Sequence, residues 1–278
     1  MRIKWLKNKA YLLISVLFLG LLLPLAAQAK TAVLVHGFLG DDMTWRTSGF
    51  SKALEFAGWK DGGSYNYAPW GMMVPRGIKW PGDVFFTVNL PSEANLQTQE
   101  NILAQYLEQL YAQRKEPLTL IGHSAGGVVA RLYVIDPRRM AQVNGLITIA
   151  SPHLGTPTAK AAYLTGNSPV GIMASIAGED TLRDARGLFS DLKEEKPYNF
   201  LYWMNHQPHP AITYVSIVRN NKFLKNRGKF DYVVPPFSQD MNNVWALRGR
   251  AKVIPTKGNH FLSGADGLIV ANLLRHIK

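Results

Sequence analysis

Apolar residues recur along the chain in two alternating rhythms. Short, mostly aliphatic and β-branched runs stand at Thr31–Val35, Asp83–Leu90, Leu118–Ile121, Gly145–Ala150, Ile212–Val218 and Lys252–Pro255. Their length and composition predict buried strands. Helical spacing lies between them. Leu103, Tyr106, Leu107 and Leu110 follow i, i+3, i+4, i+7 inside a helix predicted over Asn95–Gln113. Asn95 fits as its N-cap, and Arg114, Lys115 and Pro117 mark its end. Val128–Ile135 reads as a second helix, stopped by Asp136-Pro137, and Val270, Leu273, Leu274 and Ile277 place a third at the C-terminus. Strands alternating with helices predict an α/β fold, with a mostly parallel sheet covered on both faces. Two stretches break the alternation. Residues 58–82 are rich in Gly, Trp and Tyr. Residues 153–205 are much longer than a usual connection and read as an insertion over one edge of the sheet, a lid or cap within a single domain of residues 30–278.

The first residues have a different character. Arg2, Lys4, Lys7 and Lys9 form a basic head, Tyr11–Leu23 is an unbroken apolar run, and Pro24 precedes the small-x-small exit Ala27-Gln28-Ala29. That order predicts a secretory signal peptide over residues 1–29, and hence export to a periplasmic or extracellular location. The rival reading is an uncleaved anchor, because Ala10–Ala27 reaches the short edge of a bilayer span. Removing the segment takes away four basic residues and no acidic one, leaving +8 of the formal +12. Such a surplus suits contact with an anionic membrane or lipid surface, although solubility is the plainer reading. Basic residues are nowhere interleaved with stacking aromatics, so a nucleic-acid partner is not expected. The densest basic stretch, Lys222, Lys225, Arg227 and Lys229, reads as a solvated loop. With Cys 0, disulfide scaffolds, Cys-ligated metals and thiol nucleophiles are excluded.

The chemistry concentrates at Leu118-Thr-Leu-Ile-Gly122-His123-Ser124-Ala125-Gly126-Gly127. G-x-S-x-G between a strand and a helix holds its serine in a strained turn, with the hydroxyl standing at the carboxyl end of the strand. Gly122 and Gly126 are needed where a Cβ would strike neighbouring chain. The helix that follows favours negative charge developing at its N-terminus. The rival, a glycine-rich phosphate loop, lacks both the G-x-x-x-x-G-K-[ST] and the G-x-G-x-x-G spacing. Upstream, Val33-Leu-Val-His36-Gly37-Phe38 ends the first strand. The N–H groups of Phe38 and Ala125 are positioned by this pattern to converge as an oxyanion hole.

These segments resemble a bacterial secreted serine lipase or esterase of the α/β-hydrolase superfamily, of the triacylglycerol lipase type. The matching stretches are Val35-His36-Gly37-Phe38, Gly122–Gly127, Ser151-Pro-His-Leu-Gly-Thr-Pro157, Asp231-Tyr-Val-Val-Pro235 and Gly258-Asn-His260, in the family's order. The resemblance implies the α/β-hydrolase fold and a Ser–Asp–His triad on Ser124, Asp231 and His260. It also implies backbone oxyanion donors at Phe38 and Ala125.

The residues themselves support that assignment. A hydroxyl needs a base within reach, and the base needs a carboxylate to fix its tautomer. His36, His123 and His153 sit in Gly or Pro turns and read as structural hydrogen-bonders. His206 and His209 flank Pro208, which breaks any helix that would pair them on a metal. His276 lies in the last helix and reads as exposed. His260 falls between the last strand and the last helix, where a base can reach the serine. For the acid, Asp231 precedes an apolar run, with Asp240 as runner-up; Asp266 reads as a first-turn helix carboxylate and Asp191 as solvated surface. Many relatives of this type hold Ca²⁺ just after the histidine. Here only Asp266 offers a carboxylate there, so calcium is not expected and no cofactor is required.

The insertion carries Ala161, Ala162, Leu164, Val170, Ile172, Met173 and Ile176, with Gly166, Gly171 and Gly178 as hinges, which fits a mobile cover. Phe200, Tyr202 and Trp203 are candidates to line an acyl pocket, or else core of the insertion. The expectation is hydrolysis of carboxylic esters, lipid acyl esters foremost, through an acyl-enzyme on Ser124. A thioesterase or acyltransferase with the same triad, and a non-catalytic lipid-binding shell, are the alternatives. Acyl-chain length and oligomeric state are not encoded in any motif.

Overall fold

The computed structural model describes residues 29–68, 71–75, 82–139, 141–157, 183–219, 231 and 233–277. The predicted signal peptide up to Gln28, the expected hinges and cover at 158–182 and the basic stretch at 220–230 lie outside the described residues. Among the described residues no helix is long and apolar enough to cross a membrane.

The elements, in chain order, are β1 (Thr31–Val35), α1 (Thr44–Thr47), α2 (Phe50–Phe56), β2 (Lys60–Ala68), β3 (Gly71–Met73), β4 (Val84–Val88), α3 (Leu96–Arg114) and β5 (Leu118–His123). There follow α4 (Ala125–Ile135), β6 (Val143–Ile149), α5 (Arg186–Asp191), α6 (Phe200–Asn205), β7 (Thr213–Arg219), α7 (Pro236–Gln239), β8 (Ala251–Thr256) and α8 (Gly264–Leu274). The strands form one sheet in the order β3-β2-β4-β1-β5-β6-β7-β8. Every pairing is parallel except β2 with β3. After β1 the chain lays β2 and β3 out on one side, returns to set β4 between β2 and β1, then crosses to lay β5 against the other side of β1. A crevice opens beyond the carboxyl ends of two strands at such a reversal, and that is where ligands bind in open parallel sheets.

The pleat sends alternate residues to two cores. Val33 and Val35 of β1 and Leu118 and Leu120 of β5 face Leu103, Leu107 and Leu110 of α3 and Val128, Val129 and Leu132 of α4. Ala32, Leu34, Ile121, Ile147 and Ile217 face the other way, towards Phe50 and Leu54 of α2 and Val270 and Leu274 of α8. Each such fully buried Leu or Val contributes about 1.5–3 kcal/mol of apolar transfer. The predicted face of α3 is buried, and Asn95 caps it by accepting from Thr98 N at 2.8 Å. The interruption at 58–82 contains two strands that the apolar rhythm does not show. β2 is half-polar, and its Gly62 is required because an added Cβ would lie 2.4 Å from the ring of Phe86. The register with β4 shifts between Asp61 and Ser64, so the strand is bulged.

Buried polar groups stitch the loops together. His36, after β1, accepts from Leu90 N at 2.9 Å through Nε2, so its Nδ1–H faces Gly37 O at 3.0 Å. Arg131 of α4 is fully buried and donates to Asn205 Oδ1 at 2.5 Å and to His153 O at 3.5 Å. His209 Nε2 lies 3.3 Å from the same guanidinium. At the far end of β7, Arg219 forms a buried two-pronged pair with Asp266, at 2.6 and 2.9 Å. Removing one member of such a pair typically costs about 3–5 kcal/mol.

Burial lowers the pKa of His36 and of His153, and takes His209 from 6.5 down to about 4. The unfolded chain therefore binds protons below pH 6.5 that the folded chain refuses, and stability falls as pH falls through that window. Each proton of difference tilts the balance by about 1.4 kcal/mol per pH unit. Asp191 and Glu100, whose carboxyls burial raises, work in the opposite direction, two groups against these three and the likewise buried His123. The urea midpoint is expected to drop steadily from pH 7 to pH 4.5; a flat midpoint would contradict this account.

Candidate functional site

Ser124 stands between β5 and α4 with φ 51° and ψ −128°, a conformation that L-residues rarely adopt. The turn is held by Ser124 N donating to Ile149 O at 2.9 Å and by Gly127 N donating to Ser124 O at 3.0 Å. The neighbouring glycines are dictated by space. A Cβ on Gly122 would lie 2.3 Å from Gly127 Cα, and one on Gly126 would lie 2.1 Å from His36 O. α4 therefore starts at Ala125 and runs through Gly126-Gly127, three residues earlier than the apolar spacing shows. Two helical glycines cost about 1 kcal/mol each; the close approach to β1 requires Gly126, and the Ser151 side chain, 2.0 Å from an added Cβ, requires Gly127.

That approach brings the end of β1 over the serine. An added Cβ on Gly37 would be 2.8 Å from Ser124 Cβ and 3.4 Å from Ala125 N. Neither the Phe38 nor the Ala125 amide donates a hydrogen bond to another described residue. Phe38 is fixed by its ring, edge-on to Phe189 of α5 with centroids 5.0 Å apart. Among the described residues two free N–H groups thus belong to the turns that meet at the serine, one of them at a helix N-terminus, where both the donor and the dipole favour an anion.

His260, after β8, is nearly buried at 4% exposure. Its Nε2 lies 2.9 Å from Ser124 Oγ, and its Nδ1 lies 2.9 Å from Asp231 Oδ2. An ionised carboxylate only accepts, so Nδ1 carries the proton and Nε2 is left to accept from the serine hydroxyl. The Asp231 side chain has no exposed surface, and its Oδ1 accepts from Val233 N and Val234 N, both at 2.9 Å. The structure brings Ser124, His260 and Asp231 into one hydrogen-bonded line.

The remaining candidates lie elsewhere. His123 points away from the hydroxyl, and its Nε2 donates to the backbone oxygen of His260 at 2.8 Å. Burial, with the His260 ring next in effect, pushes its pKa down to about 3, so it stays neutral and keeps that N–H. His153 faces Thr148 Oγ1 at 3.1 Å. His206 lies between the rings of Tyr202 and Trp245. His276 is exposed. Asp240 caps Asn242 N at 2.8 Å, and Asp266 forms a capping box with Ser263 besides its pairing with Arg219. Asp191 is not solvated surface, as its charged neighbours lead one to expect. It is half-buried and accepts from Leu96 N at 2.9 Å, capping α3.

Of the aromatic residues offered for an acyl pocket, Trp203 faces away from the serine end of α4. Trp203 and Ile135 line one shallow groove, and Ile135 ends α4 eleven residues after Ser124. At about 1.5 Å per residue, that groove lies roughly 16 Å along the helix from the serine. Two residues that no motif marks touch the constellation: Gln239, on Asp231, and Arg219, which donates to Phe261 O at 3.2 Å beside His260.

Known proteins share this arrangement of strands. Residues 85–166 match the family described as PGAP1-like alpha/beta domain. GPI inositol-deacylase A of Yarrowia lipolytica is 35% identical over 95 residues; the match takes in 28% of this chain, which spans only 9% of that relative's length. The mature lipase BlEst2 of Bacillus licheniformis superposes with a TM-score of 0.63 at 17% identity, covering 89% of this chain and 92% of the lipase. A metagenomic carboxyl esterase gives 0.56 at 13% identity, with 90% and 76% covered. The monoacylglycerol lipase of Paleococcus ferrophilus gives 0.53 at 14%, with 89% and 95% covered. With its parallel sheet, its serine turn after β5 and these structural neighbours, the chain has the α/β-hydrolase fold of lipases and esterases.

Proposed function

We propose that this chain is a serine hydrolase of carboxylic esters, with lipid acyl esters as its substrate class. The observation that carries the reading is the unbroken line Ser124 Oγ–His260 Nε2 and His260 Nδ1–Asp231 Oδ2, 2.9 Å at each step, beside two unpartnered amides. The partial relationship to a deacylase and the fold shared with lipases support it.

In the proposed reaction, His260 takes the Ser124 proton as Oγ attacks the ester carbonyl carbon. The Phe38 and Ala125 N–H groups hold the oxyanion. His260 returns the proton to the leaving alcohol as the C–O bond breaks, and the acyl group remains on Ser124. Water then attacks the acyl carbon, giving its proton to His260. Collapse expels Ser124 Oγ, which takes that proton back, and the acid leaves. Asp231 stays ionised and steadies the imidazolium. No step calls for a cofactor. Export through residues 1–29 and a cover built from 153–205 belong to the same reading.

A fluorophosphonate probe is expected to label folded protein on Ser124 alone, and Ser124→Ala is expected to abolish labelling. The same variant should reduce kcat on p-nitrophenyl esters by about 10⁴-fold or more. Absence of an adduct on Ser124 in the folded wild type would favour the binding shell. A rate advantage of long over short acyl chains would place lipid esters first.

His123 is held neutral by burial and is turned to the His260 carbonyl, so His123→Gln should lower kcat far less than a change at the acid. Asp231→Asn should lower kcat by about 10³–10⁴-fold, because the amide presents N–H groups to Nδ1 and favours the wrong tautomer. A kcat that collapses with residue 123 and ignores residue 231 contradicts the assignment.

Mass measurement of the mature N-terminus is expected to show cleavage after Ala29. An intact Met1 on membrane-extracted material overturns cleavage.

A further inference from the structure

The carboxylate paired with His260 is held by a residue outside the triad. Asp231 Oδ1 takes two backbone N–H groups, while Oδ2 takes His260 Nδ1 and Gln239 Nε2, each at 2.9 Å. The backbone amides therefore restrain one oxygen only. Gln239 is the single side-chain donor, apart from His260, that fixes the other among the described residues.

Gln239 is completely buried at the end of α7. Its Oε1 accepts from Arg219 N at 2.8 Å, and its Nε2 also donates to Val234 O at 2.7 Å. These partners settle which way the amide points. Reversing it would set N–H against N–H at one end and oxygen against oxygen at the other. The amide thus hooks the acid loop onto the last residue of β7. The guanidinium of that same residue holds Phe261 O and Asp266 in the base loop. One strand end positions both partners of the proposed triad.

The chemistry of an amide suits this place. A cation here would compete with the imidazolium for Asp231 and weaken the base. A second ionised carboxylate would repel the first in a dry environment until one of them bound a proton. A neutral group with a donor on one atom and an acceptor on the other satisfies both loops and leaves the charge of Asp231 available to His260. We infer that Gln239 is a positioning residue for the reaction, fixing the Asp231 carboxylate in the orientation that holds His260 in its Nδ1–H tautomer. The inference rests on the triad reading above.

The test compares wild type with Gln239→Met, which removes the donor at nearly equal length, and Gln239→Glu, which supplies a donor only when protonated. The imidazole ¹⁵N shifts of His260 in the resting protein report its tautomer without substrate; kcat and KM report turnover. Gln239→Met is expected to lower kcat about 10–100-fold with KM within about twofold, the size of effect that partners orienting metal-bound histidines have at metal sites. Its ¹⁵N shifts should move from the Nδ1–H pattern towards a tautomer mixture. For Gln239→Glu, the ratio of its kcat/KM to that of wild type should rise as pH falls, because the new carboxyl then donates to Asp231. A folded Gln239→Met with unchanged kcat and unchanged ¹⁵N shifts overturns the inference. If that variant does not fold, a Gln239→Glu ratio independent of pH overturns it equally. Should wild type take no fluorophosphonate on Ser124, the triad reading falls, and the ¹⁵N comparison still decides whether Gln239 orients the His260–Asp231 pair.

Discussion

Two chain reversals occupy almost the same space in this molecule, one after β1 at Gly37 and one after β5 at Ser124, and the close contact between them governs the rest. β1 and β5 are hydrogen-bonded neighbours in parallel register, so their carboxyl ends emerge side by side. With a Cβ position on Gly126 only 2.1 Å from His36 O, no side chain fits between α4 and the end of β1. Gly37 and Gly126 are consequences of that contact, and among the described residues the amides of Phe38 and Ala125 are left unbonded beside it. Strain at the serine is tolerated because strands and helix on every side over-determine the turn.

Around this fixed corner the other groups arrive on long loops, and the fold invests buried hydrogen bonds in holding them. The His260 loop is tied by His123 through the His260 carbonyl and by Arg219 through the Phe261 carbonyl. The Asp231 loop is tied by Gln239, and by Thr156, which donates to Val233 O at 2.5 Å. Ser238 adds a third tie by donating to Gly155 O at 2.6 Å. Thr156 and Gly155 belong to the Ser151–Pro157 segment, so that segment braces the acid. His36 serves here as both donor and acceptor, as a neutral imidazole can, and burial keeps His36, His123 and His153 in that neutral form.

Legibility in the sequence followed the range of the interaction. The strand–serine–helix turn is local, so its glycines and its flanking apolar runs disclosed it. Most strands and the apolar face of α3 were equally plain, since burial of one face imposes a short period. β2 was not. Its Gly62 makes room for Phe86, a residue of another strand, and so its own pattern resembles a loop. Asp191 was misread for a related reason. Its neighbours Lys193, Glu194, Glu195 and Lys196 look solvated, but its partner is Leu96 N, 95 residues earlier.

By itself the chain determined an α/β alternation, a serine on a sharp turn, and the order in which acid and base should follow it, because each depends on neighbours along the backbone or on motif order. Only tertiary structure decided which histidine meets the hydroxyl, that Asp240 caps a turn while Asp231 faces the ring, and that Gln239 and Arg219 support them. Those outcomes depend on groups up to 136 residues apart meeting within hydrogen-bond distance. A directional bond of that kind leaves no period in the sequence, whereas an apolar face must repeat to be buried.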